Sequence, residues 1–238
     1  RVLADLKNAG REIILVTSGA IGVGVSRLKL RERPKETEMK QAAAAIGQCE
    51  LMHLYDKLFS EYGHTPAQIL MTRIITDHDN TKRNLINTFD TLLKLGVIPI
   101  VNENDSVAIE EIDSEEIAFG GNDKLSAVVA TLVGADLLIL LSDIEGLYDK
   151  DPHLNQDAKL IPYVYDINDE IRAKAGGAGS ALGNGGMVTK LEAAELATEA
   201  GIDMIIMDGA DPCKMYDVFE NRHVGTFFPA KRRKTDDA

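Results

Sequence analysis

Residues 134–143, GADLLILLSD, decide the fold. A glycine placed to stop a helix is followed by an unbroken Leu/Ile run, and a Ser-Asp pair closes it. A run without polar alternation is what a strand buried on both faces requires, and it does not suit a half-solvated hairpin. The same order occurs three more times: Gly10 before REIILVTSG, Gly96 before VIPIVNEND, and Gly201 before IDMIIMDGAD. Each run follows a helix-like segment, and glycine is the usual residue just past a helix end. Alternating strands and helices predict right-handed βαβ units and an α/β fold, a mostly parallel central sheet sandwiched by helices. A fifth strand, AQILMT at 67–72, lies between helices predicted over 38–62 and 80–95.

In an open α/β sheet the ligand sits beyond the carboxyl ends of the strands. Here those ends read Thr17-Ser18-Gly19, Asn102-Glu103-Asn104-Asp105, Ser142-Asp143 and Asp208-Gly209. Ser, Asn and Asp at a strand end are also ordinary helix caps, so each cluster alone has two readings. Four such clusters favour one shared site. Between the second and third of these strands, SVAIEEIDSEEIAFGGNDKLSA at 106–127 reads as a hairpin with an acidic tip, and GGND then opens a helix. The hairpin is either a lid over a substrate or a solvated acidic loop.

A different stretch carries an anion signature. ALGNGGMVTKLEAAELATEAG, residues 181–201, sets Gly183, Gly185 and Gly186 before a helical pattern containing Lys190. Freed backbone N–H groups, the positive end of a helix and a lysine make a phosphate cradle; the alternative is a flexible loop leading into a surface helix.

Composition narrows the classes. The chain has 238 residues, 45% hydrophobic and 27% charged, long enough for a well-buried core. One domain over 1–238 is the simplest organisation, with a lobe division near 143–150. A net charge of −12 disfavours nucleic acid, and the KRRK run at 231–234 reads as part of a solvated tail. No run approaches a membrane span and no leader opens the chain. Cys49 and Cys213 lack metal-ligand spacing and are expected to be reduced core thiols of a cytoplasmic protein. No metal site is predicted, and the five histidines are expected at the surface or in packing.

The common nucleotide signatures are missing. There is no G-x-x-x-x-G-K-[ST], since Lys190 follows Thr189, and SGAIGVG at 18–24 does not read G-x-G-x-x-G. The kinase H-R-D loop is also absent.

Five ordered stretches nevertheless carry a likeness: VTSGAIGVG, VNEND, GGNDKLSA, LLSDIEGLYDKDP and GNGGMVTKLEAA. In this order and spacing the chain resembles the bacterial glutamate 5-kinases of the amino acid kinase family, from about Gly10 to Phe228. SDIEGLY alone marks the wider family, whereas the NEND and ND pair points to the glutamate branch. The resemblance implies ATP-dependent phosphorylation of the γ-carboxylate of L-glutamate for proline biosynthesis, with Mg²⁺ bridging the phosphates. It implies that Ser18, Asp105 and Asn122 bind glutamate. It assigns Ser142, Asp143, Asn184, Gly185, Gly186, Met187, Val188, Thr189 and Lys190 to ATP. Asp123 matches the aspartate that holds catalytic lysines, and Lys190 the lysine that meets the transferred phosphoryl group. The chemistry is compatible: a carboxylate nucleophile is already ionised at neutral pH, so charge neutralisation and alignment are what remain to be supplied. Asp105 suits a free α-ammonium, which an N-acetylated acid lacks.

Three departures stand beside the likeness. Relatives begin with a lysine-bearing first strand, while this chain opens on RVLADLKNAG, which reads as the helix after it. About 20–30 residues are therefore expected to precede Arg1, and without them the chain is expected to be nearly inactive or easily unfolded. Gly121 replaces the acidic residue that many relatives carry, and nothing encodes the C-terminal PUA module of many bacterial members. The resemblance also implies self-association, inhibition by proline and transfer of a labile product to a reductase. N-acetylglutamate kinase, another small-acid kinase, or a non-catalytic nucleotide or amino-acid sensor on the same scaffold are the other readings.

Overall fold

The computed structural model describes residues 1–72, 78–107, 121–152, 154–175 and 186–231. The chain forms two compact units, one of Arg1 and Leu3–Asn122, the other of Val2 and Asp123–Ala238. The division falls ahead of the expected 143–150. The reason is that the helix Asn122–Val133 buries Ala127 and Ala130 in the second core and cannot belong to the first.

In the first unit, the helix Val2–Asn8 (α1) leads to the strand Leu15–Val16 (β1). Helices Ala20–Arg27 (α2) and Thr37–Ser60 (α3) follow, then the strand Pro66–Met71 (β2), the helix Asp79–Lys94 (α4) and the strand Ile98–Glu103 (β3). The sheet order is β1-β3-β2, all parallel. The central strand β3 is buried along its whole length, as an unbroken apolar run requires. Ile98 and Ile100 pack against Phe59, with Leu15, Met52 and Tyr55 around them. Of the expected strand REIILVTSG only Leu15–Val16 pairs in the ladder, and the Thr17 N–H extends it by one bond to Val101 O at 2.8 Å.

In the second unit, the helix Asn122–Val133 (α5) precedes the strand Leu137–Ser142 (β4). The helices Asp169–Ala175 (α6) and Met187–Glu199 (α7), the strand Asp203–Asp208 (β5), the helix Lys214–Phe219 (α8) and the strand Thr226–Phe228 (β6) complete it. The order is β4-β5-β6, with β4 and β5 parallel and β6 antiparallel to β5. Too short to register as a periodic run, β6 was not expected from the sequence. Phe228 on it is fully buried with Leu140, Leu191, Met204 and Ile206.

The helix stops are built alike. Gly10, Gly96, Gly134 and Gly201 all have positive φ. In each case the next N–H reaches back five residues: Arg11 to Leu6, Val97 to Leu92, Ala135 to Ala130 and Ile202 to Ala197. This is the glycine-dependent reversal that ends a helix and releases the chain into a strand. A fifth stop of the same form, at Gly63 with His64 bonded to Phe59, precedes β2.

Two expectations fail or fall outside view. Cys49 and Cys213 are free but exposed, not core thiols. On α3 the buried face is Ala43, Ala44, Gly47 and Gln48, which puts position 49 off it, and Cys213 stands in the turn before α8. The body of the expected hairpin (108–120), Gly183, Asn184, Gly185 and most of the basic run (232–234) lie outside the described residues. Among the described residues no helix is long and apolar enough to cross a membrane.

Candidate active site

Parallel pairing places the carboxyl ends of each sheet's strands side by side. In the first unit Met71 pairs with Glu103, and β1 runs out at Thr17-Ser18 beside the same strand. A cavity of about 380 Å³ opens there. Its polar lining comes from Gln48 and Gln68, and from Glu103, Asn104, Asp105 and Ser106 at the end of β3; Met52, Leu70 and Ala44 supply apolar wall. The β3 end is tied down on both sides. Asn104 N–H donates to Met71 O at 2.8 Å, Asn102 Nδ2 donates to Gln48 Oε1 at 2.9 Å, and Glu103 N–H donates to Asn102 Oδ1 at 2.9 Å. Thr17 Oγ1 and the Tyr55 hydroxyl share a hydrogen bond of 2.6 Å, which anchors the turn carrying Ser18 to α3. Of the expected glutamate-binding residues, Asp105 lines this cavity, whereas Ser18 and Asn122 do not. Ser18 is exposed and Asn122 half-buried at the start of α5.

The second unit gathers a charged cluster. Asp123, in the first turn of α5, accepts at Oδ2 from Thr189 Oγ1 at 2.8 Å and from Lys190 Nζ at 3.1 Å. Lys190 is only 9% exposed, so its charge is held where water screens it poorly. Thr189 Oγ1 also lies 2.9 Å from Gly186 O, and its single proton serves one acceptor at a time. Gly186 is the N-cap of α7, in extended backbone and with no side-chain cap among the described residues. The Thr189 N–H donates to Gly186 O at 3.1 Å, and the N–H groups of Met187 and Val188 face the helix start, where an anion is favoured. Met187 packs against the core, and Val188 is exposed.

Ser142 and Asp143 follow β4. Ser142 Oγ donates to Asp143 Oδ1 at 3.1 Å, and Ser142 pairs in register with Asp208 at the end of β5. Gly209 N–H donates back to Ser142 O at 2.8 Å. Farther along the same segment the Tyr148 hydroxyl donates to Glu145 Oε2 at 2.9 Å. Burial first, and then the Glu145 carboxylate, hold that phenol above its ordinary pKa.

Sequence reasoning missed Gln48 and Tyr55. A signal existed for Gln48: it is the one polar side chain in AAAAIGQ, at helical spacing from Ala44 on the face that α3 buries. Tyr55 gave none, since an aromatic residue on a long helix is ordinary packing.

The comparisons with known proteins agree. The amino acid kinase family model matches residues 1–208. Glutamate 5-kinase from Clostridium perfringens is 54% identical over 232 residues, 98% of this chain and 86% of that protein. Its namesake from Listeria innocua is 48% identical over 233 residues, 98% and 84% of the two chains. Among solved structures, the carbamate kinase from Giardia lamblia bound to AMP-PNP has a TM-score of 0.65 at 14% identity, covering 96% of this chain and 87% of that one. The T. acidophilum isopentenyl phosphate kinase product complex has a TM-score of 0.62 at 16% identity, covering 95% and 88%. At such identities these structures speak for the fold alone. The family model spans most of the residues that build both sheets, and the curated relatives match nearly from end to end, so the chain belongs to the amino acid kinase family, on its glutamate 5-kinase branch.

Proposed function

We propose that this chain transfers the γ-phosphoryl group of ATP to the γ-carboxylate of L-glutamate, giving γ-glutamyl phosphate and ADP as the first step of proline biosynthesis. The observation that carries this reading is the 54% identity to a glutamate 5-kinase over 98% of the chain. The Asp123–Thr189–Lys190 cluster supports it.

A carboxylate with an ordinary pKa of about 4.3 is ionised at neutral pH, so its oxygen attacks phosphorus without a base. A C–O–P bond forms, the bond from phosphorus to the ADP oxygen breaks, and ADP leaves with the electron pair. ATP with Mg²⁺ brings the phosphoryl group and part of its counter-charge. The residues present fit a nucleotide's phosphates, because α7 begins without a side-chain cap and carries a buried lysine in its first turns. Lys190, aimed by Asp123, neutralises charge that grows on the moving group. Ser142, Asp143 and the segment from Asn184 to Lys190 hold the nucleotide. Asp105 takes the α-ammonium of glutamate, with Ser18 and Asn122 as further contacts.

The test is ADP release by the purified full-length protein with MgATP and glutamate, with hydroxylamine added to trap the acyl phosphate as a hydroxamate. Glutamate-dependent hydroxamate is expected. Turnover driven by N-acetylglutamate and not by glutamate overturns the reading. The chain is further proposed to act in the cytoplasm as a homo-oligomer, to be inhibited by proline competing with glutamate, and to pass its labile product to a reductase. Sedimentation showing a monomer, a glutamate KM indifferent to proline, or no association with the reductase during turnover would remove the last three in turn.

A further inference from the structure

The cavity at the end of β3 contains a polar group that the folded chain leaves unused. Gln48 is 8% exposed, and its Nε2 is buried without a hydrogen-bond partner among the described residues. The orientation of this amide follows from chemistry. The Glu103 backbone N–H can only donate, so the Asn102 atom that receives it is the oxygen, Oδ1. Asn102 therefore turns its Nδ2 to Gln48, and Gln48 answers with Oε1. The end of Gln48 left over is the –NH₂, a donor.

A buried donor without an acceptor is unfavourable, and native structures seldom keep one unless something else fills the need. Gln48 is part of the wall of the 380 Å³ cavity, within the usual range of about 300–1,000 Å³ for small-molecule sites. The same cavity is lined by two acidic residues, Glu103 and Asp105. Two acidic residues on the lining and an amide donor buried in the wall beside them suit a zwitterion, which offers an ammonium to the acids and a carboxylate to the amide once a small side-chain rotation brings the donor to the surface of the cavity.

We propose that Gln48 is a substrate-binding residue, donating its Nε2–H to the α-carboxylate of the acceptor amino acid; this rests on the reading of the chain as a glutamate-phosphorylating enzyme. Asn102 then serves to fix the orientation of that amide as well as to brace the strand end. Recognition extends to both charges of the α-carbon, so an acceptor that keeps the ammonium and the side-chain carboxylate but lacks the α-carboxylate binds poorly.

The experiment compares L-glutamate with 4-aminobutyrate, its decarboxylated counterpart, by calorimetric titration of the full-length wild-type protein and two variants. Gln48→Glu keeps an oxygen for Asn102 Nδ2 and removes the donor, separating ligand binding from the structural tie. Gln48→Met removes both ends, and thermal unfolding reports whether each variant folds. The wild type is expected to prefer glutamate. Either folded variant is expected to lose about tenfold or more in glutamate affinity, a charge-assisted hydrogen bond's share, with 4-aminobutyrate changed by less than about twofold. In turnover the glutamate KM rises and the ATP KM stays. A wild type that does not bind glutamate overturns this proposal together with the function it rests on. A wild type that binds glutamate, with its preference over 4-aminobutyrate kept in Gln48→Glu, overturns the assignment of Gln48 alone.

Discussion

Thr189 and Lys190 are consecutive on α7 and leave the helix about 100° apart, yet both reach Oδ2 of Asp123. One carboxylate oxygen thus orients a hydroxyl and an ammonium at once. The buried Lys190 has little conformational freedom, which suits the role proposed for it of meeting a moving phosphoryl group. Lys190→Met is expected to lower kcat by about 10²–10³, the usual loss when one well-aimed donor is removed. Asp123→Asn leaves the lysine in place without its counter-charge; misaiming by about 1 Å corresponds to roughly 10² in kcat. Steady-state kinetics on variants whose circular dichroism matches the wild type decides both. A Lys190→Met enzyme with unchanged kcat would remove that residue from the chemistry. Lys190 and Asp123 were legible in the sequence because each stands in a local motif. Gln48 showed only as the one polar residue of AAAAIGQ, because its meaning depends on Asn102, fifty-four positions away along the chain.

The glycines of SGAIGVG look like ligand-binding glycines on paper, and at the level of elements they do something else. A Cβ at Gly24 would run into the backbone carbonyl of Ala43, and one at Gly47 into that of Ala20, so α2 and α3 touch backbone to backbone at these two points. Gly22, in the same helix, has open space around it. The two positions predict opposite outcomes. Gly24→Ala forces the helices apart and is expected to destabilise by about 1–3 kcal/mol or more. Gly22→Ala is expected to stabilise by up to about 1 kcal/mol through helix propensity. In a chain of this length each kcal/mol moves the thermal midpoint by about 2–4 °C, so a melting curve separates them. Equal shifts would contradict the helix contact. The cavity wall at Gln48 sits one residue from Gly47 on the same face of α3, so the crossing that excludes a Cβ also sets the position of the proposed binding amide.

For the molecule as a whole, each unit has its own core, around Ile98 and Ile100 in one and Met204, Ile206 and Phe228 in the other. The cavity belongs to the first unit and the Asp123–Lys190 cluster to the second. Ligands are therefore expected to protect different parts of the chain. In hydrogen exchange, glutamate alone should slow amides near 17–19, 44–49 and 102–106, and MgATP alone those near 186–191. Each ligand at about 100 times its Kd should add about 2.7 kcal/mol to stability. Protection of one common segment by both ligands would overturn this allocation. The charge of −12 has a consequence at the same scale, since two anionic substrates must approach an acidic chain, which makes local cations such as Lys190 the more necessary.

Strand and helix alternation, the glycine helix stops and the polar strand ends could be read from residue order alone, because backbone propensity and apolar patterning act over a few neighbouring positions. The candidate residues Asp123 and Lys190 were likewise proposed from short motifs, because each stands beside glycines or at a helix start within a few positions. The short antiparallel β6, the exposure of both cysteines and the boundary at 122–123 became visible only in three dimensions. So did the contact of Gly24 with Ala43 and the unspent donor of Gln48. Each of these depends on which distant segments come to lie side by side, and whether a hydrogen-bonding group is left over is known only when all of its neighbours are in place.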